Sequence, residues 1–178
     1  VIGCGEIGGL MRSFFFAAVV AILATPAFAQ DRDACPAGQV CASAPATVFA
    51  ALEKAKLKPK LGKDGNGDPL IEVEGAPYHF DVYFYGCEKA KNCDSLRFEV
   101  IFEKDADATP LLANKWNSSH RFIQAAVKDD GRFVMAYDVP TIGGINARNF
   151  ADVLDWWTSM LGEAGDFFGK ELGEKKQP

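Results

Sequence analysis

Four cysteines carry the most definite chemistry in the chain. Cys35 and Cys41 are separated by five residues, and so are Cys87 and Cys93. Thiols spaced this way can close short disulfide loops or bind a soft metal. The spacings are not of the C-x2-C type, and His79 and His120 stand apart in sequence, so a metal site is the poorer reading. With Cys4 of the N-terminal segment set aside, four of the five cysteines allow three connectivities, and the two equal spacings favour Cys35–Cys41 and Cys87–Cys93. Both bonds need an oxidising compartment. A short staple in the middle of a sheet is a poor candidate for a redox-active centre.

Other candidate chemistry is thinner. Asp64-x-Asn66-x-Asp68 begins like a calcium loop, but the template then needs Gly at its sixth position and Glu at its twelfth. Pro69 and Gly75 stand there, so the segment reads as a solvated turn. Gly-x-Ser-x-Gly is absent. Ser118-Ser119-His120 sits at a predicted helix end, where the imidazole can meet the helix dipole. His79 and Asp81 lie two apart on the polar face of a predicted strand. They are the one plausible start for a hydrolase, although such neighbours are commonly solvated. No catalytic set and no cofactor or metal site emerges.

The N-terminus agrees with an oxidising address. Met11-Arg12-Ser13 is a short basic region, Phe14 to Leu23 is uncharged and apolar, and Ala27-Phe28-Ala29 is an A-x-A cleavage site. This is the pattern of a secretory signal peptide over residues 11–29, with the mature chain starting at Gln30 and exported to the periplasm. Retention of the apolar run as an anchor is the rival reading, and the A-x-A site argues against it. Val1 to Leu10 precedes the expected start and reads as an upstream start-site artefact. No later apolar run approaches a membrane span, so stable membrane insertion is not expected after cleavage. The net charge is −5, which argues against nucleic acid or an anionic membrane surface as partner. Aromatic residues make up 12% of the chain, which excludes disorder.

The elements that must position these residues follow from periodicity. After a polar lead over residues 30–43, Ser43 can cap a helix that carries Pro45 in its first turn, Val48, Phe49 and Leu52 on one face, and Pro59 as its stop. Lys58 to Lys63 fits a short edge strand and Leu70 to Glu74 a second strand. Pro77 to Tyr85 alternates Tyr78, Phe80, Val82 and Phe84 against His79, Asp81, Tyr83 and Tyr85. Leu96 to Glu103 alternates Leu96, Phe98, Val100 and Phe102 against Arg97, Glu99, Ile101 and Glu103. Strands with one apolar and one polar face predict an antiparallel sheet with helices on one face, an α+β fold. Thr109 to Ser119 is a predicted helix carrying Leu111, Leu112 and Trp116. Phe122 to Val127 and Phe133 to Val139 flank the turn signal Asp129-Asp130-Gly131. Asn146 can cap the last helix after Gly143-Gly144.

That last helix has an unusual pattern. Phe150, Val153, Leu154, Trp157, Leu161, Ala164 and Phe168 share one stripe, and Trp156, Met160 and Phe167 widen it to roughly 160°, more than one sheet face needs. Gly162, Gly165, Gly169 and Gly173 cluster on the opposite face. Each mid-helix glycine costs about 0.8–1 kcal/mol against alanine, which favours fraying after Leu161 over a glycine seam against a partner helix.

In order and spacing, several motifs point to one family. Phe84-Tyr85-Gly86-Cys87 is followed by Cys93-Asp94-Ser95-Leu96-Arg97-Phe98, then Asn114-Lys115-Trp116-Asn117, Arg121-Phe122, Asp130-Gly131 and Gly143-Gly144-Ile145. Over roughly residues 45–170 the chain resembles the YbjN family of bacterial sensory transduction regulators. The resemblance implies a fold like the type III secretion chaperones, ordered helix, strands, helix, two strands, helix, within a single domain over residues 44–172 and a tail over 173–178. Proteins of that fold often dimerise and hold polypeptide partners. The resemblance carries no catalytic residues. It implies that Gly86, Gly131 and Gly144 are structural, and that Asn114, Trp116, Asn117, Arg121 and Phe122 form a helix-to-strand junction. Trp116 and Phe122 are expected to pack there, with Asn114 and Asn117 satisfying backbone groups.

The expectation for function is therefore an exported, non-enzymatic domain that binds a polypeptide or a second copy of itself. The alternative is a small-molecule or ion sensor using a cavity on the open sheet face lined by Tyr83, Tyr85 and Trp116. A hydrolase is the least favoured.

Overall fold

The computed structural model describes residues 34–173. The expected start-site artefact and signal peptide lie outside them, as does the tail beyond Gly173. Strand β1 (Gln39–Val40) and helix α1 (Pro45–Lys54) lead into β2 (Lys58–Lys63), β3 (Pro69–Glu74), β4 (Phe80–Tyr85) and β5 (Ser95–Ile101). Helix α2 (Pro110–Ser119), β6 (Gln124–Val127), β7 (Phe133–Pro140), β8 (Ile145–Asn146) and α3 (Ala147–Leu172) complete the chain. Six strands form one antiparallel sheet in the order β2-β3-β4-β5-β7-β6, and β1 pairs with β8 apart from it. The helices cover one face, so the α+β architecture is the one the alternating strands predict.

The covered face is apolar because period-two alternation places every second residue there. Val73, Phe80, Val82, Phe84, Leu96, Phe98 and Val100 are all buried. Helix α3 lays Trp157 against Phe80 and Phe98, at ring separations of 5.4 and 5.7 Å, and Phe168 edge-on to Phe102 at 5.1 Å. The Trp157 indole N–H has no acceptor among the described residues, whereas Trp116 donates to the Ile123 carbonyl at 2.9 Å.

Local readings fail where packing overrides them. Helix α3 does not fray after Leu161; it runs to Leu172, through Gly162, Gly165 and Gly169, and ends at Gly173 with φ +84°. Leu161, Ala164 and Phe168 are wholly buried, and burying a Leu or Phe contributes about 1.5–3 kcal/mol, enough to outweigh a glycine penalty of about 1 kcal/mol. Ser43 is not the cap of α1: Ala44 holds that position without a side-chain bond. Thr47 instead ties the entry, its hydroxyl donating to the Ala44 carbonyl at 2.7 Å and accepting from the Cys41 amide at 3.0 Å. Pro59 does not stop the helix either. The chain turns at Lys56, φ +63°, and Pro59 lies inside β2, an edge strand that tolerates the missing N–H. Strand β4 begins at Phe80 rather than Pro77, and Leu111 is 68% exposed instead of facing the core.

Side chains cap the other two helices, Asn146 as expected and Thr109 in addition. The Thr109 hydroxyl accepts from the Leu112 amide at 3.3 Å, and the Asn146 side chain accepts from the Asn149 amide at 2.9 Å. The β1–β8 ribbon has too few residues to show a period. Buried Thr141 anchors it: its hydroxyl accepts from the Ala42 amide at 2.9 Å and donates to the Asp94 carbonyl at 3.0 Å.

Candidate functional site

Three surfaces hold the residues singled out above. On the open sheet face, register places Tyr83 opposite Arg97 and Arg97 opposite Asp138, with Glu72, Asp81 and Glu99 in a neighbouring cross-strand row. Arg97 bonds Glu99 at 2.9 Å and Asp138 at 3.0 Å, and Lys128 reaches the other Glu99 oxygen at 3.3 Å. Glu99 is only 9% exposed, so these two cations hold a nearly buried carboxylate. The Tyr83 hydroxyl donates to Asp81 at 3.3 Å; burial first, then the Asp81 and Glu99 charges, push its pKa up to about 12. Burial also holds the Asp81 carboxyl above its ordinary value, opposed by His79 and aided by Glu72 and Glu99. The His79 ring is 3.9 Å from Asp81, beyond hydrogen-bond reach, with its side chain 57% exposed.

Trp116 does not join this face. It is fully buried on the helix-covered side, stacked at 3.7 Å on His120 and edge-on to Phe167 at 5.4 Å. The cavity expected from Tyr83, Tyr85 and Trp116 together is therefore not formed. Alternation puts both tyrosines outside while the α2 stripe turns Trp116 in, and sequence spacing alone does not say which side of the sheet a helix covers.

The second surface is the cysteine loop between β4 and β5. The sulfurs of Cys87 and Cys93 lie 2.09 Å apart and those of Cys35 and Cys41 2.07 Å apart, both at bonding distance. Inside the first loop, Glu88 and Lys91 exchange backbone hydrogen bonds of 2.7 and 3.0 Å around Lys89 and Ala90, both at positive φ. This is a tight two-residue turn without the glycine it ordinarily prefers.

The third surface is a groove between the end of α2 and one flank of α3. Phe122 has φ +66°, a conformation that costs a bulky residue about 1–2 kcal/mol, and it stands 37% exposed. Its ring meets Trp156 at 4.8 Å and Tyr137 at 5.9 Å, and Trp156 is 41% exposed. The Arg121 guanidinium lies 4.8 Å above the Phe122 ring. Burial first, and then the Asp152 charge, raises the Tyr137 hydroxyl above its ordinary value. Farther along α3 an open cleft of about 460 Å³ is lined by Ser119, His120, Glu163, Asp166 and Phe167 among others. His120 Nε2 is 3.8 Å from Glu163 there, and Lys115 pairs with Glu171. The widened stripe of α3 was the one signal in the sequence for this groove; the exposure of Phe122 had none.

The comparisons with known proteins bear on this arrangement. A family profile, YbjN, described as "Putative bacterial sensory transduction regulator", matches residues 44–170. The chain belongs to the YbjN family. A solved structure, "Crystal structure of YbjN, a putative transcription regulator from E. coli", is similar over 73% of this chain and 89% of that one, at 14% identity and a TM-score of 0.46. No curated protein matches the chain.

The residues expected to be structural have distinct settings. At Gly86, φ +64°, a Cβ would be strained by the backbone and would displace the Asp94 carboxylate; Gly131 and Gly144 also have positive φ. Asn117 grips the backbone of Ala125 at the outer edge of β6, donating to its carbonyl at 3.0 Å and accepting from its amide at 2.8 Å. It thereby does what a neighbouring strand would do, and closes that edge. Asn114 does not share the role; it stands exposed on α2. The opposite edge, β2, is protected by Lys58, Lys60, Lys63 and Pro59. Trp116 and Phe122 pack in different places: Trp116 in the core on His120 and Phe167, Phe122 at the surface on Trp156 and Tyr137. Among the described residues no helix is long and apolar enough to cross a membrane.

Proposed function

We propose that this YbjN-family chain is an exported, non-enzymatic regulator domain that acts by holding a polypeptide partner in the groove between α2 and α3. The observation that carries the reading is the Phe122–Trp156 pair: two large rings packed on each other, both substantially exposed, one on a backbone held in an unfavourable conformation. Strained residues of this kind cluster at functional positions, and aromatic side chains dominate interface anchors. Both sheet edges are blocked, which leaves a helix-side groove as the better place for a partner than strand addition. The regulatory description of the family supports the reading, and so does the lack of an aligned acid–base pair at His79 and Asp81. Export is supported by the Ala27-Phe28-Ala29 motif and by two cysteine pairs at bonding distance.

The test is a photo-crosslinker placed at position 156 of the chain expressed in its bacterial periplasm, beside light scattering of the purified protein. A crosslinked polypeptide or a dimer that Trp156→Ala abolishes is the expected result. A strict monomer with no crosslink at that position overturns the proposal. Recovery of the protein with an N-terminus other than Gln30, in the cytoplasmic fraction, overturns export.

A further inference from the structure

The two cysteine pairs are far apart in sequence and meet in the fold. In each, one cysteine is partly exposed, Cys35 or Cys87, and the other is buried, Cys41 or Cys93. Both buried cysteines, together with Cys35 and Thr141, line one small cavity of about 80 Å³. The turn that follows β7 is wedged between the pairs. Its first residue, buried Thr141, reaches both sides. The Thr141 hydroxyl accepts from the amide of Ala42, the residue after Cys41, at 2.9 Å. It donates to the carbonyl of Asp94, the residue after Cys93, at 3.0 Å, and the Thr141 amide donates to the same carbonyl at 3.0 Å. The turn closes where the Gly144 amide donates to the Thr141 carbonyl at 2.9 Å. Gly144 lies so near the first pair that a Cβ there would stand 3.2 Å from Cys41 Sγ.

We propose that the two disulfides and the Thr141–Gly144 turn form one redox-sensitive clasp, in which reducing either pair makes the other easier to reduce. The reductant is a small thiol. Its thiolate attacks the accessible sulfur, Cys35 or Cys87, and forms a mixed disulfide there. The buried partner, Cys41 or Cys93, leaves as a thiolate and takes up a proton. A second thiol group then attacks the mixed disulfide, which frees the cysteine as a thiol and leaves the reductant as its own disulfide. With its staple gone, Ala42 or Asp94 is no longer held against Thr141. The bridge to the remaining pair is lost, and the state in which that pair is also reduced costs less. Such a coupling free energy is reciprocal. The open clasp also releases β1 from β8, whose Asn146 caps α3, so the redox state reaches the entry of the longest helix. This inference is independent of the groove reading.

The test equilibrates the full chain in buffers of reduced and oxidised dithiothreitol, traps free thiols by alkylation, and reads each pair by peptide mass spectrometry. In a Cys35→Ser, Cys41→Ser variant the equilibrium constant for reducing Cys87–Cys93 should rise at least about tenfold over the parent. The Cys87→Ser, Cys93→Ser variant should raise that of Cys35–Cys41 by a similar factor. Thr141→Val, which keeps the shape and removes the hydroxyl, should abolish most of this coupling, and Thr141→Ser should restore it. Amide hydrogen exchange reads the same link from the far side: loss of Cys87–Cys93 should speed exchange at Ala42 at least about tenfold.

A change below about twofold in both single-pair variants overturns the clasp. So does coupling that persists undiminished in Thr141→Val, because global unfolding rather than the bridge then joins the pairs. Unchanged exchange at Ala42 has the same consequence. Should Thr141→Val fail to fold, the two single-pair variants and the exchange at Ala42 decide by themselves.

Discussion

Two aromatic surfaces of this protein differ in what surrounds them. On the open sheet face Tyr83 and Tyr85 are set among Arg97, Glu99, Asp138 and Lys128, a network in which each charge is answered from within the chain. Tyr83 itself donates to Asp81. At the flank of α3, Phe122 meets Trp156, Tyr137 and Arg121, and Phe122 and Trp156 still stand 37% and 41% exposed. Both pairs look alike as exposed aromatic residues. The difference is whether the fold already satisfies them. An aromatic pair within a closed ion network has little left to offer a partner, whereas apolar rings facing solvent gain by being covered.

The comparison predicts graded effects on stability. The largest belongs to the covered side. Trp116→Ala removes a buried ring and leaves the Ile123 carbonyl without its donor, and a loss of about 3–5 kcal/mol is expected in urea unfolding. A loss below 1 kcal/mol would mean that the helix layer does not pack as described. Next comes the open face. Arg97→Ala leaves nearly buried Glu99 with Lys128 alone, for an expected cost of about 1–3 kcal/mol by the same measurement. Were that variant as stable as the parent, the open face would not be the self-satisfied surface that sets it apart from the groove.

A Cys87→Ser, Cys93→Ser double variant should lose about 1–2 kcal/mol, since closing a short loop restrains the unfolded chain less than the ~3 kcal/mol of a 15-residue loop. Unchanged melting would show that the staple adds nothing to the hairpin bearing the tyrosines. Trp156→Ala should change stability by less than about 1 kcal/mol while removing partner binding, the signature of a residue that the fold itself does not require. A large destabilisation there would dissolve the contrast between the two surfaces.

The smallest effect concerns pH. The folded-state pKa of Asp81 is raised, mainly by burial, so the native chain holds its proton more tightly than the unfolded one. Its charged form therefore subtracts from stability above the folded pKa, and this loss disappears as pH falls below the ordinary carboxylate range. Asp81→Asn should raise the melting temperature slightly at pH 7, by under about 1 kcal/mol in stability after solvent screening, with the gain vanishing in acid. A lower melting temperature at pH 7 would mean that the Tyr83 and His79 contacts outweigh burial.

Much of this architecture is legible in the chain because it is local. Period-two alternation in Phe80–Tyr85 and Ser95–Ile101 names the inward and outward residues of the central strands. Asn146 announces its helix by a side chain that needs only the next turn. The equal cysteine spacings favour the two pairs found at bonding distance. The misreadings share a different cause. Fraying after Leu161 is the correct answer for an isolated helix with three internal glycines, and it fails because Phe102 and Phe133 wait for Phe168 across the core. Ser43 looks like a cap until Thr47 takes over the entry. Asn114 and Asn117 are equivalent by spacing, yet only Asn117 faces the edge of β6.

The candidate site divides along the same line. The sequence by itself determined that α3 has an apolar stripe too wide for one sheet face, and that the sheet has a polar side bearing Tyr83 and Tyr85. Only the tertiary structure decided which aromatic surface is left uncovered. That choice turns on contacts between residues far apart in the chain: Arg97 with Asp138, Lys128 with Glu99, Phe122 with Trp156. Periodicity reports the side of an element on which a residue lies. It carries no information about which other element is brought against that side, because that is set by the packing of the whole core.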